Sequence, residues 1–163
     1  MNSNYYLFYK KYHQNKINKL IHLFCIPLIV WSFCVLLNNL TILSHFKFNN
    51  SNIFTIDLDL SAYICLFYLI IYTFIESSTF FPMFLYLTFI YFTSYFFNLY
   101  VIKSIMYALF INIFSWIMQF IGHFFFEGNR PALMDSLVQS FLMAPLFSYF
   151  EFKELINKKK INK

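Results

Sequence analysis

Long apolar runs dominate this chain, and they restrict it to a membrane fold. A helix that crosses the hydrocarbon core of a bilayer needs about 20 mostly apolar residues. Four runs reach or approach that length, the second being the shortest: residues 21–43, 60–75, 80–102 and 105–126. We therefore predict one all-α integral membrane domain over residues 1–163, with these four runs as its transmembrane helices.

The polar segment 127–131 is the sharpest break in the chain, and a fifth apolar stretch, residues 132–150, follows it. Asp135 and Gln139 make this stretch a poor candidate for a full crossing, because polar side chains are costly inside hydrocarbon. We predict a re-entrant or interfacial helix there, followed by an exposed basic tail over residues 151–163.

The composition agrees with a membrane protein. Apolar residues make up 60% of the chain and charged residues only 12%, which is too little charge to cover a soluble domain. The net charge is +5, but the basic residues gather at the two ends and form no patch with interleaved aromatic residues, so we predict no nucleic-acid partner. Cys25, Cys34 and Cys65 lie in apolar runs without paired spacing, and we interpret them as core or lipid-facing residues.

The lysines predict the orientation in the membrane, because cytoplasmic flanks carry an excess of Lys and Arg. Both ends of the chain are rich in lysine: Lys10, Lys11, Lys16, Lys19, Lys153, Lys158, Lys159, Lys160 and Lys163. We predict a multi-pass protein with both termini in the cytoplasm, an even number of crossings, and a cytoplasmic or interfacial segment over residues 1–20. The start of the first span and the end of the fourth then lie on one side, which brings His22 and His123 to the same depth.

Gln119, His123 and Glu127 form the clearest polar pattern in the chain. Their spacing of four residues places all three side chains on one stripe of a helix that is otherwise hydrophobic. Polar groups inside a membrane are costly and need a shared purpose. The spacing alone is equally compatible with a metal site and with a polar network that holds helices together.

A second polar pattern lies at the start of the first span. Asn18 and His22 are four residues apart and share a helical face. His13 and His22 are nine residues apart, which places them on opposite sides of a continuous helix. If both histidines serve one site, the helix must break between them, and we predict the break near Gln14–Asn15.

Histidines with one carboxylate and few cysteines favour Fe(II) in an oxygen-activating site over structural zinc. The chain lacks the clustered HxxHH boxes of membrane desaturases and the GxSxG sequence of serine hydrolases, and it has no internal repeat of the kind found in transporters. Its only glycines, Gly122 and Gly128, exclude a glycine-rich phosphate loop. His45 lies in a polar loop without further candidate ligands, and we interpret it as a bystander.

Two stretches of the chain resemble signatures of a known family. FYKKYHQNKINKLIHLFCIPL is similar to the form YHxxxxNxxIHxxGIP. QFIGHFFFEGNRPALMDSLVQSFLMAPLFSYFE is similar to the longer form QxxGHxxxExxxPALxxSLxQxxxxAPxF. In both respects the chain resembles the small endoplasmic-reticulum family of Fe(II)-dependent 2-hydroxy fatty acid dioxygenases, which act in fatty-acid α-oxidation.

The resemblance implies an oxidoreductase of the endoplasmic-reticulum membrane. Such an enzyme takes a 2-hydroxy fatty acid, arising for example from phytosphingosine breakdown, and cleaves C1 with O2 to give the fatty acid one carbon shorter. The implied cofactor is Fe(II), and the implied partners are this substrate, O2 and membrane lipids. The resemblance predicts neither the preferred chain length nor the oligomeric state.

The resemblance also implies the roles of particular residues. Iron would be held by three histidines: His13, His22 and His123. Glu127 matches the acidic position of the signature and would be a fourth ligand or a base beside the metal. Asn18 and Gln119 would lie behind the ligands and orient them.

Two further residues need an interpretation that the resemblance does not supply. Arg130 is our candidate partner for the substrate carboxylate, because a guanidinium fork suits that group; an interfacial charge that only reaches toward water is the rival interpretation. Cys25 stands where the signature has glycine, a departure that removes none of the implied ligands.

The alternative function is a non-catalytic lipid-binding or scaffold protein of the membrane, whose His, Glu and Gln side chains only hold helices together. The two functions differ in their need for metal. An enzyme of this class requires bound iron, whereas a scaffold protein does not.

Overall fold

The computed structural model describes residues 10–39 and 59–161, and every regular element within them is helical. The main helices of these ranges are α1 (Lys16–Asn39), α2 (Leu60–Ile75), α3 (Phe80–Tyr100), α4 (Ser104–Ile121) and α5 (Leu137–Ile161). Short 3₁₀ turns cover Ser77–Thr79 and Ala132–Met134, and a π-helical turn over Gly122–Glu127 continues α4. The all-α prediction is therefore confirmed for the described residues.

Three stretches are long and apolar enough to cross a membrane: Lys16–Asn39, Ser77–Tyr100 and Ser104–Glu127. Helix α2 is apolar but has only 16 residues. Large apolar side chains such as those of Phe74 and Phe124 point outward from the helices, as expected of surfaces that face lipid. The count of four crossings and the re-entrant helix stay predictions, as does the single membrane domain.

The chain divides into two compact units, one of residues 1–30 and 111–163 and one of residues 31–110, so α1 and α4 each contribute to both. We call them the terminal unit and the central unit. The polar residues that the sequence analysis singled out all belong to the terminal unit, except His45, which lies outside the described residues.

The central unit is built on α2 and α3, which pack on each other as a helical hairpin. A short 3₁₀ turn joins them, and Thr79 Oγ1 donates there to the Glu76 carbonyl over 2.7 Å. Cys34 and Cys65 are buried in this unit. The core interpretation of both cysteines is therefore confirmed.

In the terminal unit, α5 differs from the prediction at its C-terminal half. The helix continues through the predicted tail to Ile161, and Glu151 is buried at 5% exposure instead of being exposed. The reason is a partner distant in sequence: Lys19 Nζ lies 2.9 Å from Glu151 Oε1. A buried carboxylate is tolerated because this cation neutralises it.

Candidate metal centre

The N-terminal approach to α1 is not helical at the point where the sequence analysis predicted a break. His13 and Gln14 have no regular structure, Asn15 lies in a bend, and α1 begins at Lys16. The Asn15 side chain accepts from the Ile17 N–H over 2.8 Å, which caps the first turn. The predicted break is therefore confirmed, and it frees His13 from the helical register of His22.

Glu127 fixes this non-helical segment. Its Oε1 accepts from the Gln14 N–H over 2.6 Å, and its Oε2 accepts from the Asn15 N–H and from Asn18 Nδ2, each over 3.0 Å. The N–H groups before and at the start of a helix lack backbone partners, and a negative charge is favourable there. Because Gln14 follows His13 directly, Glu127 holds the backbone that carries this histidine.

The segment that carries His123 is wider than an α-helix. Helix α4 ends at Ile121, and residues Gly122–Glu127 form a π-helical turn. The prediction of one α-helical stripe through Gln119, His123 and Glu127 is wrong in the type of helix, because the first of its two intervals runs into the π turn and the second lies within it. Such turns are frequent at functional sites, since they redirect side chains without ending the helix. Gly128, at φ +66°, then ends the turn in a left-handed conformation that favours glycine.

Gly122 allows α1 and the π turn to approach closely. A Cβ atom at this position would collide with Asn18 Oδ1 and would lie 3.4 Å from Ile21 Cδ1. Asn18 is itself fully buried and donates to Glu127. The absence of a side chain at Gly122 therefore lets His22 of α1 and His123 of the π turn meet.

Three histidines converge at this contact. His13, His22 and His123 are 1%, 3% and 3% exposed, and one ligating nitrogen of each lies within 4.8 Å of the others. Their ring centroids are 4.4 Å, 4.7 Å and 4.9 Å apart. This spacing could hold one metal ion. The predicted meeting of His22 and His123 is confirmed, whereas their depth in the membrane and its side stay predictions.

The ring nitrogens of two histidines fit a metal ion better than a plain polar network. His22 Nδ1 lies 2.9 Å from the Asn18 carbonyl, which can only accept, so the proton must be on Nδ1 and the lone pair on Nε2. Metal-binding histidines are commonly oriented in this way. His123 Nδ1 is buried and has no hydrogen-bond partner among the described residues. Metal coordination would satisfy such a nitrogen, and the donor set therefore fits a divalent transition metal.

The remaining predicted site residues lie around the three histidines or at the surface. Gln119 is buried at the end of α4, one turn before His123. Arg130 is exposed, and its Nη2 lies 2.6 Å from Asp135 Oδ1. Asp135 Oδ2 accepts from the Tyr12 hydroxyl over 2.7 Å, and this bond raises the pKa of Tyr12.

Some contacts of the site had no signal in the sequence. The ring of Phe147 on α5 lies 5.2 Å from that of His13, and Lys19 on α1 pairs with Glu151 on α5. Each contact joins residues more than a hundred positions apart, between segments whose packing a single sequence does not specify. Phe147 was also indistinguishable from the many other phenylalanines of the chain.

Comparisons with known proteins show which family the chain resembles. The profile of the family described as 2-hydroxy-palmitic acid dioxygenase Mpo1-like matches residues 2–156. The 2-hydroxy-palmitic acid dioxygenase MPO1 of Saccharomyces cerevisiae is 33% identical over 150 residues, which cover 89% of this chain and 75% of that protein. No solved structure matches the chain.

Proposed function

Because the chain belongs to the Mpo1-like family, which is named for a 2-hydroxy-palmitic acid dioxygenase, we propose that it is an Fe(II)-dependent dioxygenase of 2-hydroxy fatty acids. The enzyme breaks the C1–C2 bond with O2 and gives the fatty acid one carbon shorter, as in fatty-acid α-oxidation and sphingolipid breakdown. C2 becomes the new carboxyl carbon, and C1 leaves as CO2 with one water to balance the atoms. The buried group of three histidines is the observation that carries this proposal.

The three histidines would hold the iron through one ring nitrogen each: His13, His22 and His123. When bound, Fe(II) supplies open coordination positions and the electrons that activate O2. The Asn18 carbonyl fixes the tautomer of His22 and orients its ring, which leaves Nε2 as the coordinating nitrogen. Burial of all three rings excludes bulk water from the centre.

Glu127 is assigned to orienting the ligands from behind rather than to a fourth coordination bond. Both of its oxygens already accept hydrogen bonds from Gln14, Asn15 and Asn18. A carboxylate in such bonds stabilises the segment that presents His13. Asn18 contacts both residues: its side-chain amide donates to Glu127, and its backbone carbonyl lies against His22 Nδ1. It therefore acts together with Glu127.

Arg130 is proposed to receive the substrate carboxylate. Its guanidinium is exposed and faces Asp135. A guanidinium has five N–H donors, so several are left for a second carboxylate. The acyl tail would lie against the outward-facing phenylalanines of the helices. Each methylene that leaves water there contributes about 0.8 kcal/mol.

The direct test is reconstitution of the purified protein with Fe(II) without oxygen, followed by addition of 2-hydroxypalmitate and O2. We expect the acid one carbon shorter, and we expect His22→Ala and His123→Ala to lose both iron and product. His45→Ala is the matched control, since we interpret His45 as a bystander, and it should retain both. Bound iron without any shortened acid in the wild type would exclude the proposed reaction.

The scaffold alternative is supported by the hydrogen bonds that tie distant segments of the terminal unit together, those of Glu127 above all. It predicts a protein that purifies without metal and whose His123→Ala variant loses only stability. Iron content of the purified wild type separates the two functions.

We further propose that the protein resides in the endoplasmic-reticulum membrane with both termini in the cytoplasm. The lysine-rich ends and the three apolar stretches of spanning length support this orientation. Protease digestion of sealed microsomes should remove tags from both ends, and protection of either tag would contradict it.

A further inference from the structure

His13 needs more support than the other two histidines, because no helix carries it. His22 belongs to α1 and His123 to the π turn, so the hydrogen bonds of each element fix the backbone of its histidine. His13 lies in a segment without regular structure. Glu127 holds the backbone that follows His13, and the ring needs contacts of its own.

One side of α5 supplies such contacts. Phe147 and Glu151 are four residues apart, which places both side chains on one side of this helix. The ring of Phe147 lies 5.2 Å from that of His13. Glu151 Oε1 lies 2.9 Å from Nζ of Lys19, a residue of α1 three positions before His22. Helix α5 therefore contacts the segment of one histidine and the helix of another.

The burial of these two side chains shows that both contacts belong to the core of the terminal unit. Phe147 is 2% exposed and Glu151 is 5% exposed. A carboxylate that is buried to this extent is costly unless a cation pairs with it, so the ammonium group of Lys19 stabilises Glu151 in this place. The pair thereby fixes α5 against α1, and Phe147 is held against His13 one turn earlier on α5.

We propose that Glu151 and Phe147 are positioning residues of the metal centre. This inference rests on the proposed function and adds α5 to the elements that support His13. The Lys19–Glu151 pair docks α5 on α1, and the docked helix places the Phe147 ring against the His13 imidazole. Without this docking, His13 loses its fixed position while the two ligands carried by helical elements keep theirs. Docking of α5 and binding of the metal are therefore coupled.

The test uses Co(II), a divalent ion whose visible absorption reports the geometry of its ligands. The purified full-length protein is titrated with Co(II) in detergent. We expect Glu151→Ala and Phe147→Leu to weaken binding roughly tenfold, the lower end for groups that orient metal ligands, and to change the absorption of the bound ion. Wild-type affinity and absorption in either folded variant would overturn the proposal, because the contact would then contribute to stability alone.

A double variant separates docking from charge. Lys19→Met/Glu151→Leu replaces the pair by apolar side chains, a change that buried ion pairs often tolerate. Since the pair acts by docking α5, this variant should bind Co(II) with nearly wild-type affinity. An affinity as low as that of Glu151→Ala would show that the charge of Glu151 acts on the metal, and would overturn the proposal. Phe147→Leu leaves no charge unpaired, and it gives the result if Glu151→Ala does not fold.

Glu154→Gln and Phe141→Leu are the matched controls on the same helix. Glu154 pairs with Lys10 at 3.5 Å on the surface, where ion pairs contribute little. The ring of Phe141 lies 5.6 Å from that of Trp116 on α4. Both control variants should bind Co(II) as the wild type does. Thermal unfolding of each variant reports whether the protein is intact.

The wild-type protein separates this inference from the proposed function. If it shortens 2-hydroxypalmitate when loaded with Fe(II), but the α5 variants bind Co(II) as it does, the positioning role is wrong and the function stands. If it binds Co(II) at the histidines but its iron-loaded form gives no shortened acid, the function fails, and the titrations still decide the positioning role. A wild type that binds no metal would exclude both.

Discussion

The carboxylate of Glu127 connects the segments that carry the histidines of the proposed metal centre. It accepts two backbone N–H groups directly after His13 and the side-chain amide of Asn18. It also lies four residues after His123 in the same π turn. A single side chain therefore connects the two segments that carry the histidines.

Replacement of Glu127 by glutamine tests this positioning role. The amide retains one acceptor oxygen but turns an NH₂ group toward N–H donors, so the segment that carries His13 should loosen. We expect Fe(II) to bind about 10- to 100-fold more weakly, as is typical when a group that orients metal ligands is removed. The measurement is anaerobic titration with Fe(II), combined with X-ray absorption of the bound metal.

The two assignments of Glu127 differ in the X-ray absorption result. A positioning residue leaves the set of coordinating atoms unchanged at saturating iron, whereas the loss of an oxygen ligand from the metal would show that Glu127 coordinates it. Glu154→Gln is the control, because Glu154 pairs with Lys10 at 3.5 Å on the surface and does not belong to the group of three histidines. Its affinity for iron should equal that of the wild type.

At the level of elements, the site depends on how closely α1 approaches the π turn. Gly122 sets this distance, since any side chain there would displace the Asn18 amide from its place against Glu127. Helix α5 closes the other side through Phe147 and through the Lys19–Glu151 pair. The three histidines are thus supplied by one non-helical segment, one helix and one π turn.

Gly122→Ala should separate these elements. We expect a loss of about 1–3 kcal/mol in the free energy of unfolding, because the added methyl group overpacks a buried contact. We also expect weaker metal binding, because Asn18 and His22 move together. Chemical or thermal unfolding in detergent measures the first effect, and Fe(II) titration measures the second.

Gly128→Ala is the matched control for this variant. Gly128 has a left-handed backbone but nothing within 4 Å of its missing side chain, so alanine there should cost only backbone strain, roughly 1–2 kcal/mol. Its affinity for metal should be kept. Equal losses of metal affinity in both variants would contradict the role given to the close approach at Gly122.

For the molecule as a whole, metal binding should be linked to the stability of the fold. The three ligands come from the two ends of the chain, 110 positions apart at their most distant, since His13 and His123 both contribute. An ion that binds only the folded state stabilises it by about 2.7 kcal/mol at a hundredfold excess over its dissociation constant. The site therefore joins the N-terminal and C-terminal parts of the terminal unit.

We expect anaerobic Fe(II), or redox-inactive Zn(II), to raise the unfolding temperature of the wild-type protein in detergent. The His123→Ala variant should show a much smaller shift. Calorimetry or fluorescence-detected unfolding with and without chelator makes the comparison. A shift of equal size in the variant would mean that the ion binds elsewhere.

The sequence by itself determined the class of fold and the identity of the polar residues. Apolar runs of spanning length predict membrane helices whatever their packing, because the bilayer imposes length and hydrophobicity on each helix separately. The nine-residue interval between His13 and His22 predicted a helix break if both serve one site, and the break lies where it was predicted. Helical periodicity is a local property, so these predictions needed no knowledge of the neighbours.

Only the tertiary structure decided which of those residues meet, and how. The sequence left a metal site and a polar network equally open, and the convergence of three histidines depends on packing between segments more than a hundred residues apart. It placed Glu151 in an exposed tail, although a lysine of α1 buries and neutralises it. It also predicted an α-helical stripe where the structure has a π turn. The spacing of residues does not show how wide a helical turn is, and the close approach of α1 to this turn at Gly122 is a tertiary contact. Long-range contacts of this kind arise from the shapes of whole helices, which no local pattern contains.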